Sequence, residues 1–225
     1  MVIVYGSNRK FYPRAIVAIR SCLHYNPEAK VVLLAEDDEV EGLDKRVSVI
    51  KYDKAEILKR IPEELLSDRM SEVIFLKLMI AELFPDEHRA LWLDCDTIVC
   101  DGLKELEDCV IDKVCYAMVP EMTMSYKIRR NYYNAGVILF NLDLIREKNM
   151  ERYLFEYLNN MHVTFYEQDA LNFGAFKWIG ELPIEYNVGN VTNPDFPNPK
   201  IYHYVLCDNY WTGECPRGHY WKRFM

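Results

Sequence analysis

The sequence lacks several features that would decide its class at once. No apolar run among its 225 residues approaches the roughly 20 residues that a membrane-spanning helix needs. Met1 leads directly into Val2-Ile3-Val4-Tyr5, too short an apolar stretch for a secretory leader, so a cytoplasmic location is expected, with peripheral contact to a membrane left open. Positive charge is scarce. The 27 Lys and Arg against 35 Asp and Glu leave a net charge of −8, which argues against a nucleic-acid partner, because phosphate contacts need a basic face. The seven cysteines (Cys22, Cys95, Cys100, Cys109, Cys115, Cys207 and Cys215) include no CxxC pair and read as reduced thiols. On that reading the sequon Asn190-Val191-Thr192 is idle. Neither GxGxxG nor GxxxxGK[ST] occurs, which argues against a dinucleotide site and a P-loop. No linker, repeat or low-complexity tract divides the chain, so a single domain over residues 1–225 is expected.

What the chain does have is an acidic pair at a strand end. Leu91-Trp92-Leu93 runs into Asp94-Cys95-Asp96, and Thr97-Ile98-Val99 leaves again. Side chains alternate along a strand, so Asp94 and Asp96 point the same way if the backbone stays extended, and Cys95 faces the core. Two hard carboxylates so placed suit Mg2+ or Mn2+; a strand ending in a polar turn would look the same. Val2–Tyr5, Val31–Ala35 and Val47–Ile50 read as strands, with a helix over Tyr12–His24 that Pro13 opens and Asn26-Pro27 ends. That order predicts parallel strands with helical crossovers, the layout of a nucleotide-binding α/β domain.

Met70–Phe84 is apolar almost all round and predicts a buried helix in which Lys77 stands alone. A buried ammonium is costly unless paired, so Lys77 either snorkels, forms a salt bridge or meets an anion such as a site carboxylate or a diphosphate. Lys127, Arg129 and Arg130 form a basic cluster in the loop Glu121–Asn131, either solvated or facing an anionic ligand. Ala135-Gly136, at the start of a strand, would let the backbone approach a ligand closely. Leu142–Asn160 reads as one or two helices, and Tyr166–Asn172 opens another with acidic and amide groups at its N-terminus. Ile201–Val205 reads as a short strand carrying one histidine, His203. The aromatic tail from Asn209 reads as a lid, an acceptor surface or a subunit contact.

These blocks, in this order, resemble the retaining glycosyltransferases of family 8, the group that includes glycogenin and bacterial galactosyl- and glucosyltransferases. The resemblance runs from Val2 to Trp211. It implies an α/β GT-A fold, Rossmann-like, with a mostly parallel central sheet flanked by helices. The nucleotide-binding half would span about residues 1–100 and the sugar- and acceptor-binding half about 101–225. It implies Mn2+, with Mg2+ as the alternative, and a UDP-hexose donor. In Ser7-Asn8-Arg9-Lys10-Phe11, ahead of a helix carrying Ser21, it implies that Ser7, Asn8 and Phe11 hold the uracil, Phe11 lacking the hydroxyl of the family's usual Tyr. Lys77 matches a Lys or Arg near the donor phosphates. Leu93-Asp94-Cys95-Asp96-Thr97 matches the LDxD block that binds metal and diphosphate, and His203 completes the metal site. Asn134, Ala135 and Gly136 match the block that meets the donor sugar. Glu167, Gln168 and Asp169 stand where the family has Asp-Gln-Asp, with the Gln168 amide near the anomeric carbon. Asn172 and the segment Leu182-Pro183…Tyr186-Asn187 extend the match.

One departure stands out. Asn209 occupies the position of a Lys that normally holds the diphosphate, the loss of a charge-assisted bond worth about 1.5–3 kcal/mol, with Arg129, Arg130 or Arg217 as candidates to replace it. The expected activity is transfer of glucose or galactose from UDP to a glycan, protein or lipid-linked acceptor. Two other readings are weighed: a non-catalytic nucleotide-sugar binder of the same fold, and a haloacid-dehalogenase-type phosphatase. The phosphatase motif DxDx[TV] is broken here by Ile98.

Overall fold

The computed structural model describes residues 1–225 except 67–70, 122–126, 128–130, 191–192, 206, 208 and 213. In chain order the strands and helices begin with β1 (Val2–Ser7), α1 (Tyr12–Tyr25), β2 (Lys30–Ala35), β3 (Ser48–Lys51) and α2 (Lys54–Arg60). Next come α3 (Ile80–Leu83), β4 (Arg89–Leu93), β5 (Thr97–Val99), β6 (Tyr116–Pro120) and β7 (Tyr133–Asn141). The remainder are α4 (Leu142–Lys148), α5 (Met150–Asn160), α6 (Tyr166–Asp169), β8 (Ile179–Glu181), β9 (Val188–Gly189), β10 (Ile201–His203) and α7 (Gly218–Lys222).

A seven-stranded sheet runs β3-β2-β1-β4-β7-β6-β8. Its central strands β1, β2 and β4 are apolar and almost wholly buried, as a sheet covered by helices requires. β7 pairs antiparallel with both β4 and β6, while the other described strand pairs of this sheet are parallel. The mostly parallel sheet is therefore as expected. The reversed β7 delivers its first residues, Tyr133 to Gly136, beside the C-terminal end of β4. A smaller sheet, β5-β10-β9, stands over that end. His203 on β10 pairs with Thr97 on β5 and with Gly189 on β9. α1 is tied to this sheet by the buried Ser21 hydroxyl, which accepts from Val99 N at 2.9 Å.

Three expectations change, and a fourth is narrowed to one of its alternatives. The helix expected over Met70–Phe84 is a 3-10 segment, Glu72–Leu78, followed by the single turn α3, with the backbone breaking at Met79; Met70 lies outside the described residues. An all-apolar run carries no stripe that separates the two helix types, and burial rather than periodicity shapes it. The aromatic tail packs as core. Trp221 is 1% exposed and joins Val17, Ile98, Val188, Tyr202 and Tyr204 in a third hydrophobic cluster, with Tyr220 and Phe224 against it. Cys207 and Cys215 are disulfide-bonded, because the 3-10 turn Tyr210–Thr212 folds the chain back between them. Leu142–Asn160 is two helices, separated by Asn149 in the left-handed conformation at φ 54°.

Candidate active site

The acidic pair converges through a turn rather than through strand alternation. Asp94 leaves β4, and its carbonyl accepts both the backbone N–H of Thr97 at 3.1 Å and the Thr97 hydroxyl at 2.7 Å. The turn is pinned to its neighbours: Asp94 N donates to Gly136 O, and Tyr204 N donates to Asp96 O, both at 2.9 Å. Cys95 turns away as expected, its Sγ donating to Gly6 O at 3.2 Å, and packs on the core. Burial pushes its thiol well up.

Asp94, Asp96 and His203 each offer a ligand atom, and these atoms lie within 4.8 Å of one another. His203 Nε2 stands 3.1 Å from Asp96 Oδ1. Burial disfavours the imidazolium, but Asp96 outweighs it and holds the His203 pKa up. For Asp96 burial acts upward and His203 prevails, so its pKa is lowered. On the other flank, Asp94 accepts from Trp92 Nε1 at 2.7 Å and from Lys77 Nζ at 3.0 Å. Lys77, 3% exposed, also bonds Glu167 Oε1 at 3.0 Å. Burial opposes its charge, yet these two carboxylates raise its pKa. Burial pushes Glu167 up against the pull of Lys77. The lysine thus meets a site carboxylate, one of its expected partners, and in addition Glu167. Three carboxylates and one ammonium leave two negative charges. A divalent ion would balance them, and two carboxylates with an imidazole suit Mn2+, so the residues fit the expected metal.

Gly136 serves a different contact from the one expected: a Cβ there would overlap the His203 ring, so the small residue seats the histidine against β7. Asn134 Oδ1 accepts from Gly136 N and from Asn187 Nδ2, and Asn187 Oδ1 pairs with His203 Nδ1, each at 2.9 Å. Gln168 is held by both ends of its amide. Its Oε1 accepts from Ala135 N at 2.9 Å, and its Nε2 donates to the Tyr132 hydroxyl at 3.3 Å. Asp169 has both oxygens engaged, Oδ1 by Tyr132 at 2.5 Å and Oδ2 by the N–H groups of Thr164 and Phe165. With these bonds it fixes the entry to α6. Tyr166, at φ 50°, carries backbone strain in the turn that presents Glu167 and Gln168. Asn172 is buried and clamps Tyr133 through both its N–H and its C=O.

At the first loop, Ser7 is buried and its hydroxyl donates to Asn8 O at 3.1 Å. Asn8 Oδ1 is buried without a hydrogen-bond partner among the described residues. Arg14 is stacked between Phe11 and Trp211, 4.5 and 3.7 Å from the ring centroids. Asn209 is exposed, and its carbonyl accepts from Thr212. Arg217 lies over Tyr202 and Tyr220 in the third cluster, so it does not restore the charge missing at 209. Lys127 is exposed; Arg129 and Arg130 lie outside the described residues.

Trp92 and Tyr132 were not singled out from the sequence, and Asn187 was named only within a segment that extends the resemblance, without a role. For Trp92 a signal existed, since it lies two residues before Asp94 and so shares its face of the strand. For Asn187 and Tyr132 no pattern in the sequence marks the contact.

Comparison with known proteins agrees with this geometry. The profile of glycosyl transferase family 8 matches residues 2–207. Glycosyltransferase GlyA of Streptococcus pneumoniae is 29% identical over 194 residues, covering 82% of this chain and 27% of GlyA, so the chain spans about a quarter of that relative. Lipopolysaccharide 1,3-galactosyltransferase of Salmonella typhimurium is 27% identical over 241 residues, covering 90% of this chain and 70% of that protein. Two crystal structures of LgtC share the fold, each covering 100% of this chain and 95% of theirs. An active-site variant has a TM-score of 0.82 at 18% identity, and the galactosyltransferase in complex with donor and acceptor sugar analogs has 0.77 at 20%. The α/β architecture is thus the GT-A fold, and the phosphatase reading falls away. The match extends over almost the whole of the chain and takes in every residue of the cluster around the acidic pair: this chain belongs to glycosyl transferase family 8.

Proposed function

We propose that the chain transfers a hexosyl group, glucose or galactose, from a UDP-sugar to an acceptor hydroxyl on a glycan, protein or lipid-linked sugar, with retention at the anomeric carbon and dependence on Mn2+. The observation that carries this is the convergence of Asp94, Asp96 and His203 beside a buried, permanently charged Lys77. A divalent cation held by those three ligands would supply Lewis-acid neutralisation of the departing diphosphate. Lys77 adds fixed positive charge to the same place, where low dielectric strengthens it. Asn8 Oδ1 offers an acceptor for the imide N–H of uracil, with Ser7 and Phe11 completing that loop. Asn134 and the held amide of Gln168 orient the sugar.

In the transfer, the bond from C1 to the diphosphate oxygen breaks, the acceptor oxygen bonds C1, and the acceptor proton passes to the departing phosphate. Glu167 is tied to Lys77, both oxygens of Asp169 are engaged, and an amide such as Gln168 is a poor nucleophile. This supports attack from the leaving-group face over a covalent enzyme intermediate. No helix among the described residues is long and apolar enough to cross a membrane.

The exposed Asn209 favours one alternative, a nucleotide-sugar binder without turnover. Calorimetric titration of UDP-glucose and UDP-galactose with Mn2+, coupled to a UDP-release assay, separates the two. The transferase reading expects turnover that Asp94→Ala combined with Asp96→Ala abolishes. Wild-type rates in that variant would end it, and binding without UDP release across a panel of acceptors would establish the binder.

A further inference from the structure

The protonated nitrogen of His203 is set three residues away. The backbone N–H of Gly136 can only donate, so the Asn134 atom 2.9 Å from it is Oδ1. That same oxygen lies 2.9 Å from the Asn187 amide, which must present Nδ2 there. The other atom of that amide, Oδ1, lies 2.9 Å from His203 Nδ1 and can only accept. Nδ1 therefore carries a proton whether or not the ring is charged, and Nε2 is the nitrogen left to face Asp96.

Strand pairing builds this chain of bonds. Asn187 follows the 3-10 turn Ile184–Tyr186 and directly precedes β9, whose Gly189 is in register with His203. Asn187 and His203 are 6% and 4% exposed, so water does not compete for these bonds. The same bonds fix Asn134: with its Oδ1 doubly engaged, its Nδ2 is a donor without a partner among the described residues.

We propose that Asn187 is a positioning residue with two outputs. One carboxamide turns His203 Nε2 toward the acidic pair and sets Asn134 with its amide nitrogen free to meet an acceptor group such as a sugar hydroxyl. The ion-holding and sugar-holding parts of the site are thereby placed in one register. This rests on the metal and donor reading above. An amide is required because it alone among uncharged side chains of this size accepts on one side and donates on the other.

The test separates the two outputs and does not depend on turnover. Mn2+ alone is titrated, with binding followed by electron paramagnetic resonance, into wild type, Asn187→Leu and Asn187→Asp. In parallel, metal-free protein labelled with 15N-histidine reports which ring nitrogen of His203 bears a solvent-protected proton, with His203→Gln giving the assignment. The expected results are a protected Nδ1–H in wild type and its loss in Asn187→Leu, with Mn2+ affinity reduced about 10- to 100-fold. Asn187→Asp keeps the acceptor for His203 and loses the donor for Asn134. It is expected to hold Mn2+ within about threefold of wild type while KM for UDP-glucose or UDP-galactose rises. A proton on Nε2 but not Nδ1 in wild type overturns the proposal, and this reading holds even if Asn187→Leu fails to fold. A folded Asn187→Leu that binds Mn2+ as wild type does, or wild type that binds no Mn2+, also overturns it. Expected Mn2+ and resonance results with no UDP-sugar turnover would support Asn187 while rejecting the transferase reading alone.

Discussion

The two flanks of the acidic pair are built on different principles. Asp94 is held by an indole N–H and by Lys77, a cation that also neutralises the buried Glu167. Asp96 is held by His203, whose charge is optional and whose far nitrogen is tied to Asn187. The first flank is an ion pair that the fold cannot lose without leaving a carboxylate stranded in the core. On the metal reading proposed above, the second would exchange a proton for a metal ion and keep every other bond. The difference teaches that fixed charge and exchangeable ligand occupy opposite sides of one turn, so damage to each should read out differently.

The largest effect is expected at the fixed flank. Lys77→Met leaves Glu167 buried and unpaired, at a cost of about 3–5 kcal/mol in urea denaturation without any metal present. Adding Glu167→Gln should restore part of that stability. Unchanged stability in Lys77→Met would erase the distinction between the flanks. At the exchangeable flank, Gly136→Ala forces the His203 ring off its seat. The expected outcome is overpacking of about 1–3 kcal/mol, with Mn2+ affinity falling more than stability does. Equal losses at both flanks would say that the histidine is structural.

A smaller effect tests what a half-buried carboxylate does without a lysine. Glu151 accepts from Ala81 N at 2.7 Å and from Glu82 N, and burial pushes its carboxyl up to about 7. A carboxyl raised in the folded state binds its proton there after the unfolded chain has released it. Stability is therefore expected to fall, by about 1–2 kcal/mol, as pH rises from about 5 to about 7. Glu151→Gln should flatten that slope. If the slope persists in the variant, another group is responsible.

Much of this was legible beforehand, for identifiable reasons. Strands buried on both faces announce themselves as continuous β-branched runs, and Val2–Tyr5 and Val31–Ala35 lie in strands as expected. The acidic pair was conspicuous as two carboxylates at a strand end, but the part of His203 came from the resemblance to the family's ordered blocks, since one histidine on a strand marks nothing by itself. Lys77 was conspicuous because a charge in an apolar run demands a partner. What escaped were contacts between segments distant in sequence. Nothing local says that Glu167 reaches Lys77 across 90 positions, or that Asn187 is the acceptor for His203. The space at Gly136 was noticed, but its occupant is another part of the chain. The 3-10 segment at Glu72–Leu78 and the Cys207–Cys215 bond depend on packing and on a turn that composition does not reveal.

The third cluster has a consequence for the order of assembly. Tyr202 and Tyr204, on either side of His203, pack with Trp221, so the strand carrying the histidine rests on the stretch that follows it. During synthesis Asp94, Asp96 and Lys77 emerge long before that stretch exists. Until residues beyond 220 have left the ribosome, the acidic turn has its ammonium but not its imidazole. A nascent chain therefore cannot complete the Asp94, Asp96 and His203 cluster before that stretch has been made, and the cluster forms in a single step rather than by degrees.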